Sequence, residues 1–527
     1  MELNTNQIKI EWANCSFTSV ITHDEIRRKL YDFLSINKKN YSRELIDLGI
    51  EDSKYRYYDP ITQTIARGHI KYVLEFAKKN PQYELIIGDN LKLIQTHHPK
   101  YNPDFIRTLP LTIDGKKVNP FEYPYEYQGE FADWALEKRS GIGISATGSG
   151  KTLITYLIMR YLLNEQPDTK ILIIVPNVTL VKQFYSDLDD FSSTDDWNVE
   201  DHLSMLHGSV KEKTKFKNVL VTTWQSIKGK RKEFYEAYNH VICDEVHGAD
   251  ASVLRKTLEK CINAYTKIGM TGSLKGTGKY IDPNARMTLE GLFGGRIEKF
   301  SDAAELMKRR VLPDLRILAK ELRYNPRYLK EMQNLSKVPR DKRHDKHDKL
   351  KLFNEEKDYI CTLESRKQYL NNFYSTLSGN VICFFNSIDN LEEAFDSYKG
   401  DKIPHKIYGQ VNTKDRDDIL YEQIEKTVDK EHILFATYGT LSTGISVNNL
   451  DIGVMVESMK SRVKILQSIG RMLRGNKALV IDIGDNLGKG TNFLFNHFKT
   501  RKELYDSVGY KYFEKTVEID YVHLKRT

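Results

Sequence analysis

The chain has 527 residues, 40% of them hydrophobic and 29% charged, which is enough to bury real cores and to form two to four domains. Its net charge of +8 suits contact with polyanions without requiring it. The five cysteines are scattered with no C-x-x-C pair, and no apolar run reaches bilayer-spanning length. This argues against a disulfide framework, a structural zinc site and a membrane partner, and the chain is expected to be soluble and intracellular.

In chain order, "IKIEWANCSFTSVI" reads as extended, and "HDEIRRKLYDFLSI" as a helix with Ile26, Leu30, Phe33 and Leu34 on one face. "KYRYYDPITQTIARG" reads as a hairpin turning at Asp59-Pro60. "HIKYVLEFAKKN" reads as a second helix and "YELIIGD" as a closing strand. These elements define a small α+β block over residues 1–115, rich in Tyr, Lys and Arg. A second block, 116–300, alternates helical patterns with the buried-strand runs "GIGISA", "KILIIVP", "NVLVTT", "HVICDE" and "KIGMTGS". A third, 301–527, repeats the rhythm with "NVICFFNS", "KIYGQV", "HILFATYG", "IGVMVES" and "ALVIDIGD". Near-continuous apolar strands between helices predict two tandem α/β domains, each a parallel sheet covered on both faces. The charged run "KVPRDKRHDKHDKLK", 337–351, is expected to be an exposed loop or a solvated helix end.

"SATGSGKT" follows the first of these strands and opens a helical pattern. Glycines at 148 and 150 suit a backbone that crowds a phosphate, Lys151 supplies a cation for the β/γ-phosphates, and Thr152 supplies a hydroxyl for Mg2+. The first glycine of the usual G-x-x-x-x-G-K-[ST] spacing is replaced by Ser145. About 90 residues on, "HVICDEVHGAD" places Asp244 and Glu245 at the end of an apolar strand. A carboxylate there can hold the metal opposite Thr152, and its neighbour can orient or deprotonate the attacking water.

"ATGSGKT" together with "DEVH" resembles the DExH group of superfamily 2 helicases and translocases, in which the first loop glycine is often absent. Further segments follow in the family's order. "YEYQ" resembles the adenine-side glutamine motif, implying cofactor contacts from Tyr127, Gln128, Thr147, Gly148, Ser149, Gly150, Lys151 and Thr152. "IIVPNVTLVKQF" and "VTTWQS" resemble segments that grip nucleic-acid backbone through Pro176, Asn177, Thr223, Trp224 and Gln225. "TGS" at 271–273 sits where the family has its coupling motif, implying that His247, Thr271 and Ser273 link the ATP cleft to the track. "FFNS", "ATYGTLSTGIS" and "QSIGRMLR" resemble the later motifs. They imply track contacts at Thr437 and Tyr438, a cofactor contact at Gly444, and catalytic roles for Gln467, Arg471 and Arg474 beside Lys151, Asp244 and Glu245. Arg471 and Arg474 are three apart and share a helical face. Ser446 stands where many relatives carry Asp and is assigned no contact.

The resemblance implies two RecA-like domains at 116–300 and 301–527 behind a DNA-binding N-terminal domain at 1–115. The block order and the closing aromatic-basic helix, "FNHFKTRKELYDSVGYKYFEKTVEI", resemble phage recombination helicases. That family implies an ATP- and Mg2+-dependent monomeric enzyme acting on branched or forked DNA in a host cytoplasm, alongside replication or recombination proteins. An RNA helicase and the motor subunit of a restriction system remain alternatives at this point. Tyr57 and Tyr58 fit either DNA contact or a small core, and the basic C-terminal segment fits either DNA contact or packing on the last domain.

Overall fold

In the computed structural model the described residues are 3–38, 46, 52–94, 100–207, 216–248, 252–272, 282–338, 346–409, 430–439, 450–461, 465, 466, 468–470, 478–488 and 492–520. They fall into two compact units, Met1–Ser301 and Asp302–Thr527.

The first unit begins with a five-stranded sheet. The extended run predicted at its start is two antiparallel strands, Gln7–Trp12 and Phe17–Thr22. Asn14 breaks it by accepting hydrogen bonds from the Ser16 and Phe17 amides at 2.8 and 2.9 Å, a side-chain turn. Asp59 caps the next turn by accepting from Ile61 N–H at 2.9 Å, and Thr64–Ala66 returns against Tyr58–Asp59. Helices Asp24–Phe33 and Ile70–Lys79 cover the sheet. Their Ile26, Leu30, Val73 and Phe76 share one core with Ile8, Ile10 and Val20. Tyr57 and Tyr58 belong to that core, so of the two roles open to them the structure gives packing.

The rest of this unit is a seven-stranded sheet in the order Leu203–Leu206, Val219–Thr223, Ile171–Val175, His240–Cys243, Thr266–Thr271, Ser140–Ile144, Ile297–Lys299, with every pair parallel. Strand alternation splits each apolar run between two cores. Ile171, Ile173, Val175, Val219, Val221 and Ile242 face one, while Leu172, Ile174, Leu220, Val241 and Cys243 face the other. A strand buried on both faces has no polar side, which is why these runs read as continuous. The two edge strands, Leu203–Leu206 and Ile297–Lys299, were not anticipated. They are short, and Ile297–Lys299 is partly exposed, so neither leaves an apolar run.

The second unit is also a seven-stranded parallel sheet, ordered Ile403–Ile407, His432–Thr437, Val381–Phe385, Ile452–Met455, Ala478–Asn486, Leu315–Tyr324, Tyr512–Ile519. Here three expectations need correction. The strand sought in "KIYGQV" lies earlier, at Ile403–Ile407, because its pairing partner His432–Thr437 fixes that register. Leu315–Tyr324 was missed because Arg316, Lys320, Glu321 and Arg323 interrupt its apolar run. The C-terminal segment is not one helix: Phe493–Ser507 stops before Gly509, at φ 74°, and Tyr512–Ile519 is an edge strand. The helix packs inward through Leu494, Phe498, Arg501, Leu504 and Tyr505. Within the 337–351 run, residues 339–345 lie outside the described residues and a helix, Lys346–Thr362, starts at 346.

Candidate active site and nucleic-acid track

The parallel strands of the seven-stranded sheet all end at one edge, and the predicted motifs of this unit collect there, the usual place for ligands in an open α/β sheet. Strand Ser140–Ile144 runs into the phosphate loop, and helix Lys151–Glu165 leaves it. Gly148 and Gly150 adopt φ of 80° and 81°, in the left-handed region that disfavours a side chain. At Gly150 a Cβ would also stand 2.4 Å from Gln128 Nε2. The helix is buried from Leu153 to Leu163, so its first turn and the loop before it are fixed by core packing.

Helix Glu126–Lys138 braces the loop from outside. Tyr127 Oη donates to the Ser149 carbonyl at 2.8 Å, and Gln128 Nε2 donates to the same carbonyl at 2.9 Å. Both side chains are buried, so the glutamine motif here holds the loop in shape. Ser145 N–H donates to the Thr271 carbonyl at 3.0 Å, tying the loop to the neighbouring strand.

On the acidic side, Asp244 and Glu245 follow strand His240–Cys243. Glu245 sits at φ 52°, a conformation rare outside glycine, and its N–H donates to Asp244 Oδ1 at 2.9 Å. Burial, and then the adjacent Glu245 carboxylate, push the Asp244 carboxyl up to about 6, with Lys151 pulling the other way. Lys151 Nζ lies 3.7 Å from Glu245 Oε1. Glu245 Oε2 is 3.0 Å from His247 Nδ1 and accepts from Thr271 Oγ1 at 3.4 Å, while His247 Nδ1 and Thr271 Oγ1 are 3.1 Å apart. The loop lysine, the second acid and two of the predicted coupling residues therefore form one connected polar cluster. Gly272 presses on the loop too, since a Cβ there would meet Thr147 Oγ1 at 3.0 Å.

The same sheet edge carries the predicted track residues of the first unit. Asn177 caps helix Val178–Phe191 by accepting from Leu180 N–H at 2.9 Å, with Pro176 beside it at the end of strand Ile171–Val175. Thr223 caps helix Trp224–Ile227, Trp224 packs partly on the core, and Gln225 is exposed. In the second unit Thr437 ends strand His432–Thr437. Tyr438 is buried, stacked on Phe384, and donates to the Glu457 carbonyl at 3.1 Å, so its ring belongs to the core. Ser273, Gly444, Gln467, Arg471 and Arg474 lie outside the described residues.

Ser301 was not anticipated: its hydroxyl lies 2.8 Å from Ser145 Oγ, across 156 residues of sequence. A lone serine at a block junction gives no sequence signal. Among the described residues no group of three or more His, Cys, Asp and Glu side chains forms a metal cage. Mg2+ in phosphoryl-transfer sites needs only one or two carboxylates plus phosphate oxygens and water. The donor set of Thr152, Asp244 and Glu245, with one nearby lysine, fits that pattern.

Residues 121–276 match the family "Type III restriction enzyme, res subunit", and residues 365–476 match "Helicase conserved C-terminal domain". With the two parallel-sheet units and the phosphate-loop and DExH geometry, these matches define an ATP-driven helicase of superfamily 2. Over 97% of its length the chain is 27% identical to the ATP-dependent DNA helicase uvsW of Enterobacteria phage T4, spanning 100% of that protein. A crystal structure of T4 UvsW aligns with 97% of this chain and 99% of that one at 24% identity and a TM-score of 0.47. The DUF1998 helicase MrfA, solved bound to DNA, shares the fold at a TM-score of 0.53, with 15% identity over 78% of this chain and 52% of that one.

Proposed function

We propose that the chain is an ATP-dependent DNA helicase or translocase that remodels branched DNA, unwinding forks, migrating junctions and annealing strands in phage replication, recombination or repair. The observation that carries this reading is the polar cluster joining Lys151 to Glu245, His247 and Thr271. It joins the residue types that bind a γ-phosphate to those that sense its loss. End-to-end likeness to a DNA helicase favours DNA over RNA, and a whole motor over a restriction subunit.

In this mechanism Gly148 to Lys151 present backbone amides to the phosphates at a helix N-terminus. Lys151 lies close enough to Glu245 to exchange between that carboxylate and phosphate oxygen. Relieved of the lysine, Glu245 orients the attacking water, while His247 and Thr271 feel the change through their bonds to it. Thr152 and Asp244 would hold Mg2+, which supplies charge neutralisation at the transferring phosphoryl group. The resemblance to superfamily 2 helicases adds catalytic roles for Gln467, Arg471 and Arg474; arginine fingers contribute about 10³–10⁵ in rate. Pro176, Asn177, Thr223, Gln225 and Thr437 hold the strand by its backbone, so DNA shape rather than sequence selects the substrate. The N-terminal region, residues 1–115, adds duplex or junction contact through Lys54, Tyr55 and neighbouring basic residues. The enzyme acts as a monomer in the host cytoplasm, with replication or recombination proteins as partners.

An ATPase assay with single-stranded DNA, forks, four-way junctions and RNA as stimulators tests this. Branched DNA should stimulate most, and Lys151→Ala should abolish stimulated hydrolysis while keeping DNA binding. Wild-type-like turnover in that variant, or strongest stimulation by RNA, would refute the reading.

A further inference from the structure

The serine that replaces the first loop glycine has a partner outside the loop. Ser145 Oγ donates to Ser149 Oγ at 2.7 Å and lies 2.8 Å from Ser301 Oγ, and Ala146 N–H donates to the same Ser301 oxygen at 3.4 Å. A hydroxyl has one proton, and that of Ser145 is directed to Ser149, so Ser301 is the donor in the second pair. The three hydroxyls make one directed relay, Ser301 to Ser145 to Ser149, with the residues 2%, 0% and 1% exposed. A glycine at 145 could not form it.

Ser301 is the last residue of the first unit. The next residue, Asp302, caps helix Ala303–Lys308 of the second unit by accepting from Glu305 N–H at 2.8 Å. Just before Ser301, Phe300 N–H donates to the Ile144 carbonyl at 2.9 Å, and the Phe300 ring stacks on Phe131 at 4.4 Å. The connector thus leaves the first unit pinned to the strand that carries the phosphate loop, and its final residue is bonded to the loop itself.

We propose that Ser301 is a positioning residue of the ATPase, coupling the connector between the units to the phosphate loop through Ser145 and Ser149. This rests on the reading of the loop as the ATP site. Buried hydroxyl pairs in a packed setting switch between discrete arrangements, so a shift of the connector at Asp302 redirects the Ser145 and Ser149 hydroxyls and with them the loop amides. The same coupling acts in reverse when phosphate enters the loop.

The test is a double-mutant cycle on the full chain with Ser145→Gly, Ser301→Ala and the pair, reading ATP kcat and KM with and without forked DNA, alongside thermal melting. Each single variant should lower the DNA-stimulation ratio by about five- to ten-fold, with hydrolysis still well above Lys151→Ala, and the pair should be no worse than either single. Three results would overturn the proposal: stimulation within about two-fold of the parent in both singles, effects that multiply in the pair, or hydrolysis as low as in Lys151→Ala. Should Ser301→Ala not fold, Ser145→Gly carries the test alone, since glycine is the ordinary residue of such loops, and an unchanged ratio there is equally fatal. Failure of the ATP-site reading would show separately, as hydrolysis surviving in Lys151→Ala.

Discussion

Asp244 shows how much of this site depends on environment. Its carboxyl, pushed up to about 6 by burial and by Glu245, is neutral below that pH and ionised above it. In the proposed mechanism Asp244 would hold Mg2+, and that role requires the ionised form. In the free enzyme, kcat/KM for ATP should therefore fall as pH drops through about 6 and level off above it, measured at saturating DNA. Saturating Mg2+ and ATP favour the ionised form, so the acid limb of kcat should lie lower than that of kcat/KM. An acid limb of kcat/KM near pH 4, the ordinary carboxylate range, would show that the pair is not raised. Residue types at this site were legible because phosphate chemistry needs them at fixed spacing. The left-handed backbone at Glu245, the bracing of Ser149 by Tyr127 and Gln128, and the partner of Ser145 were not, because none leaves a pattern in nearby sequence.

Among the elements, the edge of the second sheet carries a titratable pair. His405 and His432 stack on adjacent parallel strands, with Nε2 of the first 2.9 Å from Nδ1 of the second. Burial first, and then the His432 ring, press the His405 pKa down to about 4. The unfolded chain takes up a proton near pH 6.5 and the folded chain only near pH 4, so the stability at stake is fully present above pH 6.5. It is lost as pH falls from there through 4, by on the order of 3 kcal/mol. His405→Gln should flatten that acid slope in chemical denaturation of the second unit, and an unchanged slope would mean another group sets it. The same strands show how an element can exist where expected yet start elsewhere. The apolar pattern located a strand at 406–411, but backbone pairing with His432–Thr437 placed it at Ile403–Ile407.

Within the first unit, taken whole, the N-terminal sheet and the phosphate-loop sheet pack as one compact body. Lys267 Nζ, from the strand that ends at Thr271, donates to Ser16 Oγ at 2.6 Å, and Tyr57 Oη donates to the Asn284 carbonyl at 3.1 Å. Glu290, 1% exposed, pairs with Lys71 at 2.9 Å and Arg286 at 2.8 Å and accepts from Tyr72. Burial works to raise its carboxyl, but these three partners outweigh burial and hold it below its usual value. Glu290→Ala removes the acceptor of Tyr72 and releases Lys71 and Arg286, whose side chains are 42% and 50% exposed, and should cost about 1–2 kcal/mol, read as a lower melting temperature. Proteolysis should then cut first near the N-terminal region. Unchanged melting would mean that the apolar core alone holds the two sheets together.

The sequence by itself determined the chemistry and the grammar: a phosphate loop, a paired acid, two successive parallel-sheet domains and an α+β start. Buried parallel strands must be apolar on both faces, and phosphate and metal tolerate few side chains, so both leave dense local signals. Only the tertiary structure decided which strands form the sheet edges, that Tyr57 and Tyr58 face a core, that Tyr438 is buried, and that Ser301 touches Ser145. Those outcomes depend on contacts between residues distant in sequence, and edge strands, single hydroxyls and lone tyrosine rings carry too little local patterning to announce such contacts in advance.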